Sequence, residues 1–232
     1  MSDPTALIVG AGAGLSAALA RRLRREGYRV ALAARSIEKL RPLEEELGLR
    51  ARAFRCDAAN AQEVTALFEQ VDSELDEPEL VVYNASGRVR GALVELDPRE
   101  VERALAVTAF GGFLVSRAAA RRMVARGRGV ILLTGASASV KGYAQSASFA
   151  MGKFALRGLA QSMARELSPL GIHVVHVVID GAIRRPGQVT DPARPDTALE
   201  PDSIAETYVQ LARQPRNAWS WEIELRPWVE RF

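Results

Sequence analysis

Residues 6–33 carry the sequence ALIVGAGAGLSAALARRLRREGYRVALA, and this stretch decides the fold. The apolar run at residues 6–9 suits a strand that is buried on both faces. Glycines follow at once, and leucines then recur at helical spacing with arginines on the opposite face. Gly27 fits the C-terminal end of that helix, and residues 29–33 form the next predicted strand.

The glycine-rich turn predicts a phosphate-binding site. Gly10, Gly12 and Gly14 stand between the first strand and the first helix, and Leu15 follows them. A turn without side chains exposes backbone N–H groups, and the positive end of the helix macrodipole adds to their effect. Because the turn lies in a strand–turn–helix context, we favour nucleotide binding over a merely structural turn.

Length and composition limit the classes of protein to consider. The 232 residues suit one large α/β domain or two small ones, and 48% hydrophobic residues allow a sizeable core. A net charge of +3, from 31 basic and 28 acidic residues, is too balanced to predict a nucleic-acid partner. Residues 1–4 do not resemble a signal peptide, and no apolar run approaches a membrane span. Cys56 is the only cysteine, so we expect a cytoplasmic protein without disulfides or membrane attachment.

Predicted strands and helices alternate along the rest of the chain. This alternation predicts one α/β domain over residues 1–232, with a doubly wound, mainly parallel sheet of seven strands and helices on both faces. Ligands of such sheets bind at the carboxyl ends of the strands. Residues 184–201 are proline-rich and poor in apolar side chains, which predicts a long loop that acts as a lid. The further predicted strands are 51–55, 80–83, 130–133, 173–179 and 221–225.

Polar residues predict the starts of two helices. Ser36 is expected to cap a helix that runs to Leu47. Asn60 and Glu63 resemble a capping box, with asparagine in place of serine or threonine.

Four features of the sequence fall in order at the ends of the predicted strands. The glycine turn opens the chain, with Ser16 at the place of a possible third glycine, and Asp57 follows the third strand. Residues 84–87 read NASG after the fourth strand, and Lys153 lies on a long predicted helix at 146–167. With these features the chain resembles the short-chain dehydrogenase/reductase family over nearly its full length. In that family the corresponding positions are a third glycine, an adenine contact, an Asn-Asn-Ala-Gly segment and the lysine of a Tyr-xxx-Lys pair.

The resemblance implies a dinucleotide cofactor, bound mainly at the glycine turn and at the strand ends that follow it. The chain departs from the family after the sixth strand, where Asp180 and Gly181 replace a proline–glycine pair. The residues expected to contact the cofactor are Gly10, Gly12, Gly14, Leu15, Arg35, Ser36, Asp57, Asn84, Ala85, Lys153 and Gly181.

The end of the second strand determines which dinucleotide is preferred. A carboxylate there would bind the adenosine ribose 2′-hydroxyl and repel a 2′-phosphate. Ala34 holds that place, and Arg35 and Ser36 follow it. Because arginine presents a planar fork suited to phosphate, we favour NADP(H) over NAD(H). The alternative is that Arg35 is one more surface arginine of an arginine-rich chain.

The family exchanges a proton with its substrate through a tyrosine, which the lysine four residues later activates, and also uses a serine and an asparagine. By this resemblance Lys153 is the retained lysine, whereas Phe149 takes the place of the tyrosine. Ala136 takes the place of the serine, and Thr108 that of the asparagine. Ser137 is a candidate replacement for the serine, by a shift of one residue. We therefore expect catalytic roles for Lys153 and Ser137, at a weakened proton-transfer site.

Simpler interpretations of these residues stay open. Phe149 shares a helix face with Leu156 and Met163, which is typical of core packing. Lys153 could be a solvated helix lysine, although lysine is rare in this chain. Tyr143 could replace the missing acid, but its predicted loop makes a surface tyrosine the favoured interpretation.

No metal site is predicted. His173 and His176 are three residues apart on a predicted strand, so their side chains point to opposite faces. The region of Trp219 and Trp221 fits packing or a subunit contact better than a substrate cage.

Two hypotheses for the function remain. The first is an NADP(H)-dependent oxidoreductase with a non-standard site and a small-molecule substrate that the sequence does not identify. The second is a non-catalytic dinucleotide-binding sensor or interaction protein that keeps the fold. The resemblance also implies a homodimer or homotetramer, paired through the helices at residues 108–126 and 146–167.

Overall fold

A parallel seven-stranded sheet forms the centre of the computed structural model, which describes residues 3–189, 191–193 and 195–230. The strand order is β3-β2-β1-β4-β5-β6-β7, so the direction of winding reverses between β1 and β4. This confirms the doubly wound parallel sheet expected from the alternation of elements. The strands are β1 Thr5–Val9, β2 Arg29–Ala34, β3 Ala51–Arg55, β4 Leu80–Tyr83, β5 Gly129–Thr134, β6 Ile172–Ile179 and β7 Glu222–Leu225.

Helices cover both faces of this sheet. Alternate residues of β1 divide between the two cores: Ala6 and Ile8 pack against α1, α2 and α7, whereas Leu7 and Val9 pack against α3, α5 and α6. This burial on both faces explains why β1 is a continuous apolar run. The helices are α1 Leu15–Arg25, α2 Arg41–Leu47, α3 Ala61–Leu75, α4 Pro98–Leu105, α5 Gly111–Arg126, α6 Ala147–Leu167 and α7 Pro201–Ala212.

A π-helical turn, Ala106–Phe110, joins α4 to α5. The hydroxyl of Tyr83 donates to the carbonyl of Val107 within this turn. Such turns release backbone groups from the regular helical ladder, and here the end of β4 uses one of them. The turn therefore fixes α4 and α5 against the carboxyl end of the sheet.

The expectation of a helix capped by Ser36 is wrong. The segment forms a short 3₁₀ turn, Ile37–Lys39, and α2 begins only at Arg41. Ser36 makes no side-chain cap. The physical reason is Pro42, which has no N–H to donate and is tolerated only in the first turn of a helix.

The expected capping box of α3 is half formed. Asn60 Oδ1 accepts hydrogen bonds from the backbone N–H groups of Gln62 and Glu63, at 2.9 and 3.2 Å. Glu63 does not return a bond to Asn60; its carboxylate accepts from the N–H of Asp57 at 2.9 Å. Glu63 therefore stabilises the loop at the end of β3 in addition to the helix.

The long loop after β6 folds back near its base. Ile183 and Leu199 form an isolated parallel bridge, and the side chains of Arg184 and Glu200 pair beside it. Thr190 and Arg194, which belong to the predicted lid at 184–201, lie outside the described residues. No helix within the described part of the chain is long and apolar enough to cross a membrane.

Candidate active site

The loops after three neighbouring strands of the sheet meet at its carboxyl edge and line a cavity of about 730 Å³. Asn84 follows β4, the segment that begins at Gly135 follows β5, and Gly181 follows β6. Helix α6 contributes Phe149 and Lys153 to the same cavity. The sheet therefore brings together residues that are far apart in the sequence, as the strand-end rule predicts.

The glycine turn lies beside this cavity and is built without room for side chains at its base. Gly10 has a φ of +85°, and a Cβ added to it would lie 2.3 Å from the backbone nitrogen of Ala85. Cβ atoms added to Gly12 or Gly14 would meet no atom within 4 Å. The turn is thus closed against β4 and open on its outer side, where the N-terminus of α1 points. This geometry fits the pyrophosphate of a dinucleotide.

A second cavity of about 290 Å³ lies over the outer side of the turn. Gly12, Gly14 and Leu15 line one wall, and Arg184 and Arg185 line the other. Because Arg184 is paired with Glu200, the positive charge that the beginning of the long loop brings to the phosphate position is that of Arg185.

Ser16 links the glycine turn to the end of β4. Its hydroxyl donates to the carbonyl of Gly10 at 3.2 Å and accepts from Asn84 Nδ2 at 2.8 Å. The side chain is buried. Serine in place of a third glycine therefore adds a hydrogen-bond bridge that fixes the side-chain amide of Asn84.

A third cavity, of about 310 Å³, lies at the other end of the turn. Asp57, Ala85, Ala34 and Arg35 line it, whereas Ser36 is exposed beside it. Asp57 Oδ1 accepts a hydrogen bond from the N–H of Ala59 at 3.0 Å, which orients the carboxylate. The size and the position of this cavity fit the adenosine end of a dinucleotide.

Lys153 is 3% exposed, so the solvated alternative is wrong. Its Nζ donates to the carbonyl oxygen of Thr134, the last residue of β5, at 2.7 Å. Burial lowers the pKa of Lys153 from its usual value to about 8, because the charged form loses hydration. Gly152, the preceding residue, lets α6 approach the π-helical turn at Thr108 closely, and this contact keeps Lys153 inside.

Phe149 lies one helical turn before Lys153 and borders the cavity. Its ring is half-buried, in contrast to Leu156 on the same helix, which is fully buried. The Nζ of Lys153 is 5.9 Å from the ring centroid, and the guanidinium carbon of Arg88 is 4.6 Å from it. Two cations therefore flank the ring at the expected position of a catalytic phenol.

Ala136 and Ser137 both border the cavity, just after β5. Within the described residues the Ser137 hydroxyl has no hydrogen-bond partner. Ser139 is fully buried, and its hydroxyl accepts from the N–H of Ala136 at 3.1 Å. Ser137 is thus the serine of this loop that is available to a ligand.

Thr108 lies outside the cavity lining and is 1% exposed. Its hydroxyl accepts from the N–H of Gly87 at 2.8 Å and donates to the carbonyl of the same residue at 3.4 Å. Thr108 therefore holds the loop after β4 against the π-helical turn.

Asp180, at the place of the family's proline, is 4% exposed. Its carboxylate pairs with Lys141 at 3.2 Å and with Arg226 at 2.6 Å. Gly181 follows with a φ of +152° and borders the main cavity. The charge of Asp180 is thus neutralised on the side of the site where the long loop begins.

The two histidines of β6 have different partners. His176 Nδ1 lies 2.9 Å from Oε2 of Glu222. The same carboxylate accepts a hydrogen bond from Arg157 on each of its two oxygens, at 2.6 and 2.7 Å. Burial lowers the pKa of His176, so the ring is neutral at physiological pH. His173 stacks on Trp219 with ring centroids 4.8 Å apart, which fits the packing interpretation of that tryptophan.

The profile of the short-chain dehydrogenase family matches residues 4–189. The chain belongs to the short-chain dehydrogenase family. As a member it is an NAD(P)-binding oxidoreductase, and the strand-end site described above is where the resemblance in the sequence placed its ligands.

Two proteins show how similar this short-chain dehydrogenase is in sequence to its relatives. The 3-oxoacyl-[acyl-carrier-protein] reductase of Mus musculus is 31% identical over 183 residues, which are 78% of this chain and 76% of the reductase. An uncharacterized oxidoreductase of Staphylococcus aureus is 25% identical over 231 residues, which are 98% of both chains.

Solved structures agree with the fold over almost the whole chain. A short-chain dehydrogenase from Rhodopseudomonas palustris is 37% identical and has a TM-score of 0.85, covering 97% of this chain and 99% of its own. A metagenomic short-chain oxidoreductase in complex with NADP is 31% identical with a TM-score of 0.84, covering 98% of both chains. An alcohol dehydrogenase from Thermococcus sibiricus, complexed with 5-hydroxy-NADP, is 26% identical with a TM-score of 0.87 and the same coverage.

Reasoning from the sequence missed two arginines of this short-chain dehydrogenase. Arg88 and Arg90 come from the loop after β4 and border the main cavity. The sequence did offer a signal: both arginines come directly after the NASG segment, at a predicted strand end, and no acidic residue follows them before Glu95. Tyr143, considered as a replacement acid, borders the same cavity and is 49% exposed.

Proposed function

We propose that this short-chain dehydrogenase binds NADP(H) in preference to NAD(H) and acts on a small carbonyl or alcohol substrate with a weakened proton-transfer site. The observation that carries the proposal is the pairing of a buried Lys153 with Phe149 at one end of the cavity. The lysine and the glycine turn suit cofactor binding, whereas a phenyl ring has no proton to give.

The cofactor would lie across the carboxyl edge of the sheet. The open side of Gly12 and Gly14 would take the pyrophosphate, and Asp57 would face the adenosine end. Lys153 would hold the nicotinamide ribose by a hydrogen bond from Nζ. When bound, the nicotinamide supplies or accepts the hydride of the reaction.

The preference for NADP(H) rests on the end of β2. Arg35 borders the adenosine cavity, its side chain is exposed, and it makes no ion pair within the described residues. Ala34 offers no carboxylate to bind a 2′-hydroxyl. A guanidinium without a protein partner suits a 2′-phosphate. The similarity to short-chain oxidoreductases crystallised with NADP and 5-hydroxy-NADP supports the same preference.

The residues around Phe149 would orient a substrate but leave it short of a proton donor. Ala136 has no hydroxyl to polarise a carbonyl, and Ser137 is the nearest candidate for that role. Lys153 Nζ is already directed to the carbonyl of Thr134. A proton for the substrate oxygen would then come from Ser137 or from water, more slowly than from a positioned phenol.

A second candidate function is a dinucleotide-binding sensor or interaction protein without catalysis. It is favoured by the contrast between a cofactor site that keeps Gly10, Gly14, Asp57, Asn84 and Lys153 and a proton-transfer site with neither tyrosine nor serine in the family's positions. The assembly proposed for both functions is a homodimer or homotetramer through α5 and α6. The buried, unpaired Cys56 fits the reducing cytoplasm that we propose as the location.

Calorimetric titration of the protein with NADPH and NADH, followed by a screen of carbonyl substrates, tests the proposal. We expect tighter binding of NADPH and slow reduction of at least one carbonyl compound. Tight cofactor binding without any turnover would favour the sensor. Failure to bind either dinucleotide would contradict both functions.

A further inference from the structure

The main cavity is lined by cations without a counter-charge. Arg88, Arg90 and Lys153 border it, and among its described lining residues there is no aspartate or glutamate. A cleft lined by one sign of charge concentrates ligands of the other sign.

About half of the described arginines form an ion pair with a carboxylate elsewhere in the protein. Arg21 pairs with Glu46 and Arg122 with Asp72, at 2.6 Å in each case. Arg88 and Arg90, by contrast, have no carboxylate within ion-pair distance in the described parts of the chain. Their charges are therefore left available at the cavity.

Arg88 is an exposed residue whose guanidinium is held at the edge of the cavity by a ring contact. Its guanidinium lies over the Phe149 ring, 4.6 Å from the centroid. Burial, and then the neighbouring charge of Arg90, lower the pKa of Arg88. Two like charges that line one cavity, without a counter-charge among its described lining residues, favour the binding of an anion.

The carboxylate of Asp180, which precedes the cavity-lining Gly181, is not available to them. Asp180 is already paired with Lys141 and Arg226, on the side where β6 ends. The field inside the cavity is therefore positive on the side of Phe149.

We propose that the substrate of this site carries an anionic group, a carboxylate or a phosphate, which Arg88 and Arg90 bind. This inference rests on the proposed function, because the reacting carbonyl or alcohol lies in the same cavity. Arginine forks bind either oxyanion with paired hydrogen bonds, so the two groups share one recognition chemistry. Anchoring the anion beside Phe149 would orient the substrate where the family's phenol is missing.

The test uses the full chain loaded with NADPH, and the probes are benzoylformate, its methyl ester and phenyl phosphate. The acid and the ester share the same carbonyl and differ in charge. We expect benzoylformate or phenyl phosphate to bind at least about tenfold more tightly than the ester, as hydrogen bonds to charged groups allow. Whichever of the two anions binds more tightly shows whether the substrate carries a carboxylate or a phosphate.

Three variants locate the effect. Arg88→Met keeps an alkyl chain against Phe149 and removes the charge, and Arg90→Ala removes its neighbour. Each should weaken anion binding about tenfold and leave ester binding unchanged. Arg103→Ala is the matched control, because Arg103 is an exposed α4 residue outside the cavity lining and its loss changes the net charge equally.

Equal binding of acid and ester, no binding of either anion, or an equal loss in Arg103→Ala would overturn the proposal. The affinity for NADPH is measured first in every variant. If the wild-type protein does not bind NADPH, that result contradicts the proposed function instead. Anion binding to the protein without NADPH would then still test the role of the two arginines.

Discussion

The Nζ of Lys153 lies 2.7 Å from the carbonyl oxygen of Thr134 and donates to it inside the protein. This single hydrogen bond ties α6 to the end of β5, next to the cavity. It also means that a lysine is buried without a carboxylate partner in the described residues. The cost of that burial appears in the pKa of Lys153, which falls to about 8.

The buried lysine predicts a dependence of stability on pH. Between pH 8 and 10.5 the unfolded chain keeps the proton of Lys153, whereas the folded protein loses it. Stability should therefore rise with pH across this window, relative to a Lys153→Met variant, by on the order of 2–3 kcal/mol. Urea unfolding of both proteins at pH 7.5 and pH 10 measures the difference. Parallel changes in the two proteins would show that Lys153 does not titrate in this range.

Two glycines of the turn should respond differently to alanine. Gly10→Ala places a Cβ 2.3 Å from the Ala85 nitrogen at a φ of +85°, so we expect a large loss of stability. Gly12→Ala meets no atom within 4 Å, so we expect a folded protein whose methyl group fills the phosphate position. Thermal unfolding and NADPH titration separate the two effects. Normal NADPH binding by Gly12→Ala would place the pyrophosphate elsewhere.

Arg35→Ala should weaken NADPH selectively. A charge-assisted hydrogen bond to the 2′-phosphate would be lost, which costs about 1–3 kcal/mol of binding free energy. NADH has no 2′-phosphate, so its affinity should stay unchanged. Calorimetric titration measures the change in affinity for NADPH and for NADH, and Arg103→Ala is the charge-matched control. Equal losses for NADPH and NADH would contradict this role of Arg35.

Helices α5 and α6 should form a subunit interface. A groove of about 640 Å³ runs between them, and Phe113 at its edge is 43% exposed. Light scattering should give a dimer or a tetramer, and Phe113→Arg should shift the protein toward the monomer. Leu49→Arg is the control, because Leu49 is 90% exposed on the short turn before β3. A strictly monomeric wild-type protein would refute the prediction.

The sheet was predictable from the sequence because the relevant signals are local. Buried parallel strands are continuous apolar runs, and a glycine turn between a strand and a helix has few other uses. The start of α2 was missed because Pro42 outweighs a serine cap. The glycines and Asp57 were predicted at the site because the ends of parallel strands meet at one edge, whereas Lys153 was predicted there from the family resemblance.

The arrangement around Phe149 was not predictable, because it depends on contacts between distant segments. Arg88 reaches the ring only because Thr108 holds Gly87 and Ser148 holds Val89, by hydrogen bonds that no local pattern encodes. The same holds for Lys153, whose burial follows from the close approach of α6 to the π-helical turn.

The replacement Phe149→Tyr, combined with Ala136→Ser, should restore proton transfer. General acid catalysis by a positioned side chain contributes about 10²–10⁴-fold to a rate. Phe149 borders the cavity, so a hydroxyl added to its ring requires little rearrangement. We expect the wild-type protein to reduce simple ketones and aldehydes with NADPH very slowly, and the double variant to do so measurably faster.

Controls on neighbouring residues decide how such a result is interpreted. Lys153→Ala should weaken cofactor binding and abolish the gain of the double variant, because the new phenol would lose the cation that lowers its pKa. Brisk turnover by the wild-type protein that Lys153→Ala leaves intact would mean that the active site lies elsewhere. Brisk turnover that Ser137→Ala abolishes would instead mean that the serine has shifted by one residue and that a group other than Phe149 supplies the proton.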